Sequence, residues 1–168
     1  MLNQDLIDDV VKGRFVLFIG AGVSKAAKLS SENDYIKDWV QFLSFASSHL
    51  QNVKLKKIIN GQIAKNDYLM AAELLKSNLD EQWLDLIQKE FSKRGVESDL
   101  HRALLRLNPR IIVTTNFDKL VENFWEEYNP NVITKVDGDA FKIFRDESKY
   151  LLKIHGSVDE PSAVVFDK

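Results

Sequence analysis

Cysteine is absent from this 168-residue sequence, and histidine occurs only three times. The lack of cysteine excludes disulfides, thiol nucleophiles and cysteine-based zinc sites. Three scattered histidines argue against an all-histidine metal site. The sequence also has no apolar run long enough to span a bilayer and no signal-peptide pattern at its N-terminus. We therefore expect a cytoplasmic protein that holds no metal.

Net charge is small, and the phosphate-loop motif is missing. A formal charge of −2 gives no reason to expect a nucleic-acid or membrane partner. Without a Gly-Lys-Ser/Thr loop, hydrolysis of ATP or GTP is disfavoured. Hydrophobic residues make up 45% of the chain and charged residues 29%, which indicates one folded domain, or part of one.

The run at residues 15–19 is entirely apolar and predicts a strand buried on both faces, as in a parallel sheet covered by helices. Gly20-Ala21-Gly22 ends the strand, and a helix can start near Ser24, which together suit a phosphate. The dinucleotide fingerprint, however, needs glycine where Lys25 stands, and an acidic residue that closes a second strand. The nearest, Asp38, precedes a helical pattern. A dehydrogenase-type site is therefore not expected, and the alternative is that the turn only packs a helix on a strand.

Apolar spacing predicts a short helix over residues 3–12 and a helical module over about 37–107. Within the module, a helix at 53–60 is expected to stop at Asn60-Gly61, and one at 66–77 follows. Asp80 is expected to cap the next helix and Gly95 to end it, and Ser98 or Asp99 caps the last. Strands are predicted at 110–115, 132–134 and 150–154, with helices at 118–128 and 139–145. Residues 163–166 form a fifth strand or an extended segment. This alternation predicts an α/β fold, a Rossmann-like parallel sheet with a helical insertion between its first two strands.

Polar and small residues follow three of the predicted strands. The turns are Gly20-Ala21-Gly22-Val23-Ser24, Thr114-Thr115-Asn116-Phe117-Asp118 and Ile154-His155-Gly156-Ser157. Ligands bind at the carboxyl ends of strands in an open parallel sheet, so the three turns are expected to face one crevice.

Each polar residue has a structural alternative. Asn116 either satisfies local backbone groups or positions a water or a hydroxyl, and Asp118 can cap the following helix. His155 can exchange a proton near neutral pH or can be a satisfied core residue. His49 and His101 lie on amphipathic helices and are interpreted as structural.

From about residue 14 to its end, the chain resembles the sirtuin family, whose members carry a Gly-Ala-Gly-x-Ser turn, a Thr-x-Asn-x-Asp turn and a strand that ends in His-Gly. Deacylating sirtuins also have a Pro-Asp-Phe-Arg loop and a cysteine zinc ribbon, and this chain has neither. Residues 153–161 and Trp39 resemble instead the bacterial branch found in anti-phage defence proteins.

The resemblance implies that residues 1–168 are the N-terminal portion of a Rossmann-type NAD-binding domain, incomplete at its C-terminal end. It implies hydrolysis of NAD, as a substrate and without zinc, to ADP-ribose and nicotinamide. Homo-oligomers or further domains of a longer chain are the implied partners. Asn116 would position water or ribose, His155 would hold or deprotonate a ribose hydroxyl, and Asp118 would orient its neighbours. The implied NAD-binding residues are Gly20, Ala21, Gly22, Ser24, Thr115 and Gly156.

Three other functions remain open at this point. One is NAD-dependent protein deacylation, against which the missing loop and ribbon argue. Another is a serine hydrolase, since Ser24, Asp118 and His155 occur in the chain order of a catalytic triad, although Ala26 replaces the last glycine of the nucleophile elbow. The last is a domain that binds NAD or ADP-ribose, or builds an oligomer, without catalysis.

Overall fold

Four parallel strands form the central sheet, which we describe from a computed structural model covering residues 3–29, 35–96, 98–134, 143 and 145–164. In chain order the strands are β1 (Val16–Ile19), β2 (Lys28–Leu29), β3 (Gly95–Val96), β4 (Ile111–Thr114), β5 (Asn131–Ile133) and β6 (Tyr150–Lys153). The sheet has the order β1-β4-β6-β5, and every pairing in it is parallel. Ile19, Thr114 and Lys153 lie in register across the three neighbouring strands. The strand ends that carry the predicted turns are therefore adjacent.

Eight α-helices surround this sheet within the described residues. They are α1 (Gln4–Val11), α2 (Ala21–Ala26), α3 (Trp39–Ser48), α4 (Val53–Ala64), α5 (Tyr68–Leu79), α6 (Glu81–Phe91), α7 (Asp99–Arg106) and α8 (Leu120–Phe124). Helices α3 to α7 separate β1 from β4, which confirms the insertion between the first two strands. The mixed α/β architecture with its parallel sheet confirms the predicted Rossmann-like fold.

Several predicted boundaries are wrong. Helix α2 begins at Ala21 and not near Ser24, with Gly20 as its N-cap. Helix α4 continues through Gly61, because Ile59 and Ile63 on either side are buried and offset the roughly 1 kcal/mol that glycine costs in a helix. Pro161–Ala163 forms a short 3-10 helix and no strand, whereas Val164 is extended, as in the alternative given for residues 163–166. The predicted helix at 139–145 lies largely outside the described residues, as do residues 165–166.

The expectation that β1 is buried on both faces is also wrong. Val16 is 55% exposed and Phe18 is 63% exposed, because β1 lies at the edge of the sheet and one of its faces is uncovered. On the other face, Ile19 joins a buried cluster with Ile112 and Leu151. Partly buried neighbours of this cluster are Leu17 of β1, Val23 of α2, and Leu104 and Leu105 of α7. Helix α1 forms as predicted, but none of its side chains is buried.

A short antiparallel ribbon, formed by β2 and β3, joins the segments that precede α3 and follow α6, and it was not predicted. Gly95 lies in this ribbon and does not end a helix. A Cβ at this position would lie 3.2 Å from the Cβ of Ala27, from Cδ2 of Leu120 and from the carbonyl oxygen of Lys28. Gly95 is therefore required by close packing.

Helices α3 to α6 share their own core. Phe42 and Trp83 are fully buried at its centre, with ring centroids 5.4 Å apart. Helix α7 does not join it, because Leu104 and Leu105 pack on the sheet cluster and Leu100 and Leu107 are exposed. Asp38 and Ser98 cap α3 and α7, each in a capping box. No helix in the described part of the chain has the length and apolarity needed to cross a bilayer.

Candidate functional site

A cavity of about 260 Å³ opens at the carboxyl ends of β1, β4 and β6. The predicted site residues that line it are Ala21, Ser24, Thr115, Asn116, Asp118 and His155. The other lining residues were not predicted from the sequence to belong to a site. They are Lys25, Ile36, Lys37, Asp38, Trp39, Phe91 and Phe117. Gly20, Gly22 and Gly156 adjoin the lining residues in sequence without lining the cavity. The structure thus brings the three predicted turns to one crevice.

The glycine turn after β1 leaves open space above its backbone. Gly20 has φ −131°, and a Cβ there would meet only the hydroxyl oxygen of Thr115, at 3.8 Å. A Cβ at Gly22 would have no atom within 4 Å. Neither glycine is needed for backbone conformation or for packing, and their missing side chains leave the backbone of the first turn of α2 open. In that turn the N–H of Val23 donates to the carbonyl oxygen of Gly20 at 3.0 Å.

A buried chain of hydrogen bonds links the turns after β1 and β4. The amide nitrogen of Asn116 donates to the Ser24 hydroxyl at 2.8 Å, and that hydroxyl donates to Oδ2 of Asp118 at 2.6 Å. The other oxygen of Asp118 accepts the N–H of Leu120 at 2.9 Å. Asp118 therefore contacts both Ser24 and the first residue of α8, but the N-cap of α8 is Lys119, so Asp118 is not the helix cap that the sequence predicts.

Asn116 keeps an acceptor for a ligand. Its amide nitrogen bonds Ser24, which lies 92 positions away in the chain, so the side chain does more than satisfy local backbone groups. Its own backbone N–H donates to the Thr114 hydroxyl at 3.0 Å. No described residue donates a hydrogen bond to the Asn116 amide oxygen, which therefore remains available to a water or a hydroxyl in the cavity.

His155 lies half-buried in the cavity wall, two residues after Lys153 ends β6. No hydrogen bond joins its imidazole to another residue in the described part of the chain. Gly156 follows at φ +86°, and a Cβ there would lie 3.0 Å from the carbonyl oxygen of Ala163. Gly156 is therefore needed for the turn that presents His155. Because Ser24 donates to Asp118 and not to His155, a serine-hydrolase relay does not form.

Lys153 supports the site from behind and was missed by sequence reasoning. Its side chain is 1% exposed, and its Nζ donates to the carbonyl oxygen of Asp118 at 2.7 Å and of Phe117 at 3.3 Å. It also donates to the Ser157 hydroxyl at 3.2 Å and pairs with the carboxylate of Glu122. The signal in the sequence is a lysine on the same strand face as Leu151, where an apolar residue belongs.

Two aromatic side chains of the helical module, together with Phe117 from the turn after β4, form one wall of the cavity. The rings of Trp39 and Phe117 have centroids 6.0 Å apart, and those of Phe91 and Phe117 are 4.5 Å apart. Phe42 supports Phe91 from the core of the module, at 5.0 Å. Trp39 is half-exposed although it begins an amphipathic helix, and it provides a flat apolar surface in the cavity wall.

An ion pair between Lys25 and Asp38 bridges α2 and α3 at the cavity, with 2.5 Å between Nζ and Oδ2. Burial would raise the pKa of Asp38, but hydrogen bonds from Lys25 and from the Gln41 backbone outweigh it, so the pKa is lowered. The second lining lysine, Lys37, pairs with Glu90, whose carboxylate is almost fully buried. Burial would also raise the pKa of Glu90, but the hydrogen bonds from Lys37 and Lys93 outweigh it, so this pKa is lowered as well.

Asp118 is expected to make stability depend on pH. Burial raises its pKa above the usual 3.8, although hydrogen bonds from Ser24 and Leu120 act in the opposite direction. The folded protein then binds this proton more tightly than the unfolded chain. The stabilising contribution is therefore complete below pH 3.8 and is lost as pH rises through the folded pKa. The free energy of unfolding of Asp118→Asn, relative to the unsubstituted protein, should accordingly increase from about pH 4 to pH 7.

Urea unfolding of both proteins across that range measures the difference. Asp85→Asn, on an exposed position of α6, controls for the loss of one charge. Curves for Asp118→Asn and the unsubstituted protein that stay parallel over the whole range would refute the expectation.

No group of three or more histidine, aspartate or glutamate side chains suited to a metal ion occurs among residues 3–29, 35–96, 98–134, 143 and 145–164.

Comparison with known proteins matches residues 110–168 to the model of the SIR2-like domain. Over 155 residues, 91% of this chain, the sequence is 25% identical to Defense-associated sirtuin 2 of Bacillus subtilis. Over 86 residues, 49% of this chain, it is 35% identical to NAD(+) hydrolase ThsA of Bacillus cereus (strain MSX-D12). The chain spans only 14% and 18% of the lengths of these two relatives. The resemblance deduced from the three turns is confirmed.

Proposed function

We propose that this chain, which carries part of a SIR2-like domain, supplies the reactive residues of an enzyme that hydrolyses NAD to ADP-ribose and nicotinamide. The observation that carries this proposal is the meeting of three strand-end turns in one cavity. That cavity holds the network of Asn116, Ser24 and Asp118, the imidazole of His155 and an aromatic wall. One of the relatives is named as an NAD hydrolase, which agrees with this chemistry.

The reaction breaks the bond between nicotinamide and ribose and adds water at the same carbon. Positive charge spreads over the ribose as neutral nicotinamide leaves, and the water loses one proton. In our proposal the amide oxygen of Asn116 accepts a hydrogen bond from the water or from a ribose hydroxyl. His155 accepts a proton from a ribose hydroxyl or holds that hydroxyl by a hydrogen bond. Asp118 keeps Ser24, and through it Asn116, in a fixed orientation.

The remaining residues would hold the parts of NAD that do not react. The open backbone at Gly20, Ala21 and Gly22 suits the diphosphate, because N–H groups in a small-residue turn can approach an anion closely. Thr115 adds a hydroxyl at the same edge, and Gly156 shapes the turn that presents His155. Trp39 offers a flat surface to a ring of the ligand.

We place this activity in bacterial anti-phage defence, as the effector of a longer protein. The support is the name of the relative from Bacillus subtilis, a defence-associated sirtuin. In such a setting, depletion of NAD would be the output of the enzyme.

Release of nicotinamide from NAD by the purified protein tests the proposal. Asn116→Ala is expected to lower the rate by about 10²-fold, because the water or ribose loses its positioning partner. Asn78→Ala is the matched control, since Asn78 is exposed on α5 and bonds only the Leu74 carbonyl among the described residues. A rate for Asn116→Ala equal to that of the control would refute the assignment of the site. NAD binding by the unsubstituted protein without turnover would indicate a binding domain instead.

A further inference from the structure

Lys25 occupies the position where the dinucleotide fingerprint has a third glycine. Its side chain is 47% exposed, that of Asp38 is 28% exposed, and both residues line the cavity. Lys25 follows Ala21 by four residues on α2, so the two lie on one helix face. A helical side chain covers the turn that precedes its own residue, which directs Lys25 toward the small-residue turn.

The partner of Lys25 can release it without losing its own structural role. Asp38 uses Oδ2 for Lys25, whereas its Oδ1 accepts the N–H of Gln41 at 2.8 Å and caps α3. The Gln41 side chain completes the capping box by accepting the N–H of Asp38 at 3.0 Å. Exposed pairs of flexible side chains contribute little to stability, so separation of Lys25 from Asp38 is easy.

The other lysine that lines the cavity is held differently. Lys37 lies 2.9 Å from Glu90, whose side chain is only 4% exposed and which also pairs with Lys93 at 2.9 Å. The backbone N–H of Lys37 bonds the same carboxylate, also at 2.9 Å. Removal of Lys37 would leave a buried carboxylate short of partners, and this is unfavourable. Of the two lysines on the described wall, Lys25 is thus the one that a ligand can recruit.

We propose that Lys25 binds a phosphate of the diphosphate group of the ligand, and that Asp38 is an internal competitor which the ligand displaces. The identity of the ligand rests on the proposed function, whereas the exchange of partners rests on the geometry of the ion pair. Asp38 thereby makes the cavity selective for ligands with enough negative charge to draw Lys25 away.

Binding of ADP-ribose, measured by titration calorimetry, tests this exchange. Lys25→Met is expected to weaken binding about tenfold, since a charge-assisted hydrogen bond is lost. Asp38→Asn keeps an acceptor for Gln41 and should tighten binding about threefold, because Lys25 is then uncommitted. In the Lys25→Met background, Asp38→Asn should have almost no effect. Asp9→Asn is the charge control. It breaks the exposed ion pair with Arg14, which precedes β1 in the chain, and it should leave affinity unchanged.

Whether the effect of Asp38→Asn depends on Lys25 distinguishes an exchange of partners by Lys25 from simple repulsion between Asp38 and the ligand. Equal tightening by Asp38→Asn with and without Lys25 would overturn the proposal, as would unchanged affinity in Lys25→Met. If the unsubstituted protein hydrolyses NAD in either case, the proposed function still stands. If the unsubstituted protein binds neither NAD nor ADP-ribose, the proposed function is overturned together with this inference.

Discussion

Replacing His155 with alanine is expected to lower the rate of nicotinamide release from NAD by a factor of about 10² to 10⁴. The imidazole lies in the cavity wall, and within the described residues no hydrogen bond commits it to another side chain. A partner-free imidazole beside a polar network is suited to hold or accept the proton of a ribose hydroxyl. Because the fold relies on Gly156 and not on His155 for the turn, the thermal midpoint should change little.

His49→Ala provides the matched control. His49 is also half-buried, but it lies at the end of α3, bonds the carbonyl oxygen of Phe45 and packs edge-on against that ring. Its loss should leave the rate within about twofold, since it does not line the cavity. A folded His155→Ala protein with the same rate as His49→Ala would exclude His155 from the reaction.

Replacing Lys153 with methionine is expected to reduce the free energy of unfolding by about 3 to 5 kcal/mol. The substitution leaves the carboxylate of Glu122 without its buried partner, and Lys119, at 4.0 Å, compensates only in part. It also removes the donor for the carbonyl oxygens of Phe117 and Asp118. Those carbonyls belong to the turn that carries Asn116, so the contacts that are lost are contacts of the candidate site. Urea unfolding measures the effect.

A second substitution identifies the cause of this loss. Adding Glu122→Gln to Lys153→Met removes the orphaned charge and should recover at least about 1 kcal/mol. Lys76→Met, on an exposed position of α5, should change stability by less than about 0.5 kcal/mol. No recovery in the double variant would mean that the lost carbonyl contacts, and not the unpaired carboxylate, determine the effect.

The sheet and the insertion are predictable because hydrophobic periodicity is a local property. Apolar runs at 110–115 and 150–154 mark strands, and the helical period between residues 37 and 107 marks the module. Strand order is not local, so the apolar run at 15–19 could not reveal that β1 lies at an edge with Phe18 exposed. The role of Gly95 was hidden for the same reason, since its neighbours Ala27 and Leu120 are distant in the chain.

The candidate site follows the same division. The convergence of the three turns was predictable, because carboxyl ends of parallel strands meet at one edge of a sheet. The bond from Ser24 to Asp118 was not, since these residues are 94 positions apart and their pairing depends on the final geometry of the two turns. The aromatic wall was missed because Trp39 fits the amphipathic pattern of α3, in which an inward-facing aromatic is the ordinary expectation.

The ribbon of β2 and β3 makes helices α3 to α6 a closed excursion from the sheet. Leu29 and Gly95, which are 66 positions apart in the numbering, are direct neighbours in this ribbon. Helices can therefore lengthen, shorten or be exchanged within the excursion while β1 and β4 stay paired. Trp39 and Phe91 belong to the excursion, whereas Asn116 and His155 follow sheet strands. Part of the cavity wall and the groups proposed to react thus reside in segments that evolution can vary separately.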